Sequence, residues 1–227
     1  MRIDDYVADL ERTLTGPYGP KRDLVVEARD SLEDTAVALE AEGLDRAAAE
    51  RQAVEEFGEL TEIAPGYQSE LTAVAGRRLG LLLFISIPIT VLMWSALWRL
   101  YPPEQHVYAT QPGWFQPVSR LLDVAQLATG LYGGLALFAL SRGARWIRRP
   151  HLVTRSLGVL VWAMLPVTGA LSLSLSMGVD DPNTLDVLPT ILANLVTCGL
   201  WGMQAYCATR CLRITRSRRT AGAARSR

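Results

Sequence analysis

Side chains able to do chemistry are few and scattered in this chain. His106 and His151 are the only two histidines, and Cys198, Cys207 and Cys211 fall together in one apolar stretch near the end with no partners elsewhere. That spacing suits neither a disulfide framework nor a zinc site. There is no GxSxG, HExxH, P-loop or dinucleotide-binding glycine pattern. No catalytic residues, cofactor or metal are therefore expected, and an enzyme is not the expected class. What the chain does concentrate is carboxylate. Residues 1 to 76 hold 18 Asp or Glu against 7 Lys or Arg, a net charge of −11, whereas the remainder holds 5 acids against 16 arginines, a net charge of +11. The formal total of zero thus hides two parts with opposite electrostatic roles.

The acids must be carried by helices, because the apolar residues among them recur at helical spacing. Ile3, Val7, Leu10 and Leu14 form one face, and Gly16 stops the run. Pro20, after Gly19, suits a helix start. The next face is Val25, Ala28, Leu32, Ala36 and Leu39, ended by Gly43; Asp45 is a natural N-cap for a third helix with Val54 and Phe57, and Gly58 closes it. A fourth face, Leu60, Ile63, Tyr67, Leu71 and Val74, leads into apolar sequence, with a bend expected at Pro65. The opening segment MRIDDYVADLERTL has no uninterrupted apolar core, so it is not expected to be a secretory signal.

About 20 apolar residues are needed to cross a hydrocarbon layer of roughly 30 Å as a helix. Residues 79–98, 121–141, 157–177 and 188–209 qualify. Fourteen of the arginines fall at 77–78, 142–155 and 210–227, against only Arg99 and Arg120 on the other side, so both termini are expected in the cytoplasm. The histidines then lie on opposite faces of the membrane and cannot share an ion. Trp94, Trp98 and Tyr101 fit an interfacial aromatic belt. The expected fold is all-α: a small cytosolic helical bundle at 1–75, a four-span membrane domain at 76–211, and a basic, disordered cytosolic tail at 212–227. That tail lacks aromatics for base stacking and suits adsorption to anionic lipid better than nucleic acid.

Few residues inside the spans invite a special role. Asp123, three positions after Arg120, reads as paired or solvated at the interface. Asn194 reads as a partner in an interhelical hydrogen bond. Gly130 and Gly134 form a GxxxG that serves either a homodimer or packing among the chain's own helices, the second being preferred. Cys207 and Cys211 fit small apolar packing better than acylation.

The opening IDDYVADLERTLTGP, then VVEARDSLEDT, then GLDRAAAERQAVEEFG, and finally Tyr67 and Gln68 together resemble the HAAS, or permease prefix, domain of bacterial and especially actinobacterial membrane proteins. The likeness covers about a third of the chain, and AVEEFG is its most specific part. It implies a signalling partner, a PadR-like transcription regulator, bound or released by exposed carboxylates such as Asp30, Glu33, Asp34, Glu55 and Glu56. An accessory subunit of a multi-component ABC-type exporter is the alternative. Nucleic acid is excluded as a direct partner of the acidic part by charge sign.

Overall fold

The computed structural model describes residues 1–102, 111–141, 150–178 and 188–224, with side chains described as far as Thr215 in the last helix. Among the described residues there are seven helices and no strand: α1 (Ile3–Thr13), α2 (Tyr18–Ala41), α3 (Arg46–Phe57), α4 (Leu60–Leu100), α5 (Phe115–Ser141), α6 (Pro150–Met177) and α7 (Leu188–Ala224). They divide into two compact units, Met1–Ala75 with the segment from Ser217, and Gly76–Arg216. His106, Glu104, the arginines at 142–149 and the acids at 180–186 lie outside the described residues.

In the first unit each boundary has a local cause. α2 ends in a Schellman arrangement: Leu44 N–H donates to Leu39 O at 3.2 Å and Gly43 N–H to Glu40 O at 3.0 Å, with Gly43 at φ +105°. A side chain disfavours that backbone conformation, so glycine is required there. Asp45 caps α3 by accepting from Ala48 N–H at 2.9 Å, and Gly58, at φ +104°, closes it. The apolar faces meet in one core in which Leu10, Leu32, Ala49 and Leu71 are fully buried. Two polar clasps hold the chain around it. Tyr6 donates from its hydroxyl to Gly58 O at 3.0 Å while its ring meets Phe57 edge-on at 5.8 Å. Gln68 donates to Thr15 O at 2.7 Å and accepts from Thr15 N–H at 2.9 Å, and Gly16 leaves room for Leu71 beside it. The first sixteen residues of α4 are thus built into this core. The helix runs unbroken through Pro65.

Four helices are long and apolar enough to cross a membrane: α4, α5, α6 and Leu188–Thr215 of α7. Within the second unit they close a ring. Gly80 of α4 and Gly133 of α5 bring their backbones together, since a Cβ on Gly80 would stand 2.9 Å from Gly133 O. Tyr132 of α5 and Ser156 of α6 share a hydrogen bond of 2.6 Å. Gly158 of α6 receives Leu212 of α7, and α7 returns to α4 through Gln204 Nε2 donating to Ser86 Oγ at 2.8 Å and through Trp94 Nε1 donating to Thr197 Oγ1 at 3.2 Å. Small residues at crossings are how apolar helices approach closely without a hydrophobic drive between them.

The residues singled out within the spans can now be placed, and two expectations, for Asn194 and for the tail, are corrected. The GxxxG glycines do not face outward for a partner copy: a Cβ on Gly130 would meet Ile87 at 3.5 Å and one on Gly134 would meet Phe84 at 2.8 Å, both on the chain's own α4. Asn194 makes no interhelical bond; it is exposed and donates to Thr190 O in its own helix at 3.1 Å. A helix apolar nearly all round gives no sequence signal for which side faces its neighbours. Asp123 and Arg120 are exposed and form no ion pair among the described residues. Cys211 is buried and Cys207 half-buried, as packing residues. The backbone from 212 to Ala224, expected to be disordered, is helical, because Arg and Ala are good helix formers and nothing breaks the ladder after the last span.

Candidate functional site

The acids of the first unit sort into two populations according to whether a base reaches them. Arg29 Nη1 donates to Asp4 Oδ1 at 2.6 Å and lies 3.6 Å from Glu33, bridging α1 and α2. This hydrogen bond and its accompanying charge hold the Asp4 carboxyl below its ordinary range and raise the Arg29 guanidinium. Arg46 stands 3.4 Å from both Glu40 and Glu50, Arg12 pairs with Asp9, and Arg2 lies 3.7 Å from Asp5. These exposed pairs are each worth no more than about 1 kcal/mol.

The second population is different. Asp23, Glu27, Asp30 and Asp34 follow one another along α2 at intervals of four, three and four, which at 100° per residue keeps them within a stripe about 60° wide. All four are exposed, and none has an ion-pair partner among the described residues. They border one shallow depression together with Val26, Arg22, Ser31 and Thr35. Val26 and Val37, 46% and 61% exposed, lie about three turns apart on one flank of the row, so the face is acidic with single exposed valines beside it and Arg22 at its edge. The apolar positions of the core, Val25, Ala28, Leu32 and Leu39, occupy the opposite side.

The candidate residues from the sequence are therefore not one site. Asp30 and Asp34 sit in the stripe. Glu33 is turned toward Arg29, and Glu55 and Glu56 belong to α3, where they border a separate depression with Arg51 and Gln52, the last donating to Glu56 at 2.9 Å. Asp23 and Glu27 complete the stripe and were legible only from their angular position on α2, not from residue type. Among the described residues no group of His, Cys, Asp or Glu is arranged to hold a metal ion.

Arg78 of α4 and Arg210 of α7 both lie within electrostatic reach of Cys207. Arg210 also stands over the Tyr206 ring at 5.6 Å. Compared with protein-family models, curated proteins and solved structures, the chain matches none.

Proposed function

We propose that this is a multi-pass membrane adaptor with both termini in the cytoplasm, whose first unit uses the α2 stripe to bind a basic surface of a PadR-like transcription regulator. The observation that carries this reading is the row itself: four exposed carboxylates, none in an ion pair among the described residues, with exposed Val26 and Val37 on one flank, on a domain whose fourth helix continues into the first apolar span. Exposed carboxylates steer a basic partner, and the valines beside them give it something to bury. The topology rests on arginine placement, with Arg77, Arg78, Arg155, Arg210 and Arg213 on the cytoplasmic side against Arg99 and Arg120 on the other. The likeness to the HAAS domain supplies the class of partner. A stimulus in the bilayer acts through α4, whose residues 60–75 are packed into the first unit's core, and it can shift regulator binding only as far as the two states differ in affinity for it.

The test is binding between the full-length protein in nanodiscs and a PadR-like regulator. Asp30→Lys with Asp34→Lys is expected to weaken binding at least tenfold without loss of helicity, whereas Glu55→Lys with Glu56→Lys leaves it within about twofold. Affinity should also fall as salt rises from 50 to 300 mM. Equal binding by both double variants, or none by the wild type, would sink the proposal. The exporter-subunit reading keeps the permease-prefix resemblance as its support, while Gly130 and Gly134 lie against Ile87 and Phe84 of the chain's own α4.

A further inference from the structure

We infer that the centre of the four apolar helices is a binding site for one monovalent cation with a few waters, held entirely by neutral oxygens. A cavity of about 40 Å³ lies there, bordered by residues of all four helices. At roughly 10–15 Å³ per water-sized guest, it has room for about three such occupants and not for an organic ligand. Its apolar lining is interrupted by Thr90 of α4, Gln126 and Thr129 of α5, Thr168 of α6 and Gln204 of α7.

The hydrogen bonds of these residues decide what the cavity can take. Thr90 donates to Ser86 O, Thr129 to Ala125 O and Thr168 to Met164 O, each within its own helix at 2.7 to 2.9 Å. Each hydroxyl has one hydrogen, so what the three threonines have left is lone pairs. Gln204, 8% exposed, donates through Nε2 to Ser86 Oγ, leaving its carbonyl oxygen as a further acceptor. Gln126 has no side-chain hydrogen bond among the described residues and can turn its own carbonyl oxygen inward. The residues of the wall therefore carry up to five oxygen acceptors, alongside one unused amide hydrogen of Gln204 and the two of Gln126. No carboxylate borders it, so the large dehydration cost of a divalent ion has nothing to offset it. Neutral oxygen dipoles do replace the hydration shell of a monovalent ion, as carbonyl rings in potassium filters show.

Such an ion would touch all four helices at once, next to the Gln204–Ser86 bond that joins the first span to the last. Its occupancy would then shift the bundle toward the closed ring. The inference concerns the second unit alone and stands whether or not α2 binds a regulator.

The experiment compares thermal unfolding of the full-length protein in nanodiscs, followed by tryptophan fluorescence, in NaCl, KCl and N-methylglucamine chloride at equal ionic strength. At least one of the two alkali cations should raise the midpoint by several degrees over N-methylglucamine, saturating with concentration. Thr129→Val with Thr168→Val should weaken the apparent affinity at least tenfold, as should Gln126→Leu, while Thr129→Ser preserves it. Equal midpoints in all three salts would mean that the cavity holds only water, and an undiminished response in the valine and leucine variants would place the ion elsewhere; either overturns the inference. Should those variants fail to fold, equilibrium binding of radioactive sodium and rubidium to the wild type decides. About one ion per chain is expected, and no retention of either overturns it.

Discussion

The two units differ in where they leave their large apolar side chains, and the helices of the second are those long and apolar enough to cross a membrane. In the first, the largest buried side chains are Tyr6, Leu10, Leu14, Leu32 and Leu71, and the surface is acidic. In the second, large apolar groups such as Leu92, Leu127, Leu135 and Leu195 are more than 60% exposed, while Ser86, Thr129, Thr154, Thr168 and Gln204 are buried. Water drives leucine inward in the first case. In lipid that drive is absent, so close approach at glycine and a few polar contacts must specify which helices meet. Leucine content alone therefore says little about what holds each unit together; its position relative to solvent does.

The sharpest way to break this comparison is a leucine truncation in each unit. Leu32→Ala removes a fully buried side chain and should cost about 2–5 kcal/mol, comparable to the whole of the roughly 3–5 kcal/mol that a core this small supplies. Hydrogen exchange on the full-length protein should show α1, α2 and α3 losing protection while α5 and α6 keep theirs. Leu135→Ala, at a position 67% exposed, should leave exchange everywhere within about 0.5 kcal/mol of wild type. A second contrast uses glycine. Gly80→Ala sets a Cβ 2.9 Å from the Gly133 carbonyl, and forcing two backbones apart should cost about 1–3 kcal/mol despite the better helix propensity of alanine. Gly202→Ala meets nothing within 4 Å, so only the propensity acts, and stability should rise by about 0.5–1 kcal/mol, read as a slightly higher melting midpoint.

How much of this was readable beforehand follows from the same difference in medium. The helices of the first unit were legible because water forces an amphipathic pattern, and because Gly43, Asp45 and Gly58 each have a backbone reason to sit where they do. Of the carboxylates named from residue type, Asp30 and Asp34 lie in the α2 row, whereas Glu33 lies 3.6 Å from Arg29, whose other partner, Asp4, is 25 positions away from it and so not legible in the local sequence. In the apolar spans the GxxxG spacing announced a close approach without naming the helix approached. Asn194 failed for want of any polar–apolar contrast to show which way it points. Thr90, Gln126, Thr129 and Thr168 gave no signal at all, since a lone threonine in an apolar helix is usually satisfied by its own backbone, and only their convergence makes a cavity.

Smaller effects sharpen the electrostatic side of the comparison within the first unit. Asp45→Ala removes the α3 cap and should cost about 1 kcal/mol, read as a lower urea midpoint. The smallest change expected is at Asp4. Arg29 lowers its pKa from the ordinary value of 3.8 by hydrogen bonding and charge, so the folded state binds that proton less readily than the unfolded one. The resulting stability is present above pH 3.8 and is lost as pH falls through the lowered folded value. Asp4→Asn should therefore melt slightly below wild type at pH 7, with the gap closing as the solution is acidified past that point. Asp34→Asn should do the reverse at pH 7, because it thins a row of like charges none of which forms an ion pair among the described residues. Opposite signs from two exposed carboxylates in one small domain would separate those that hold the fold together from those left free to meet a partner; equal signs would mean that the division between paired and unpaired acids has no energetic content.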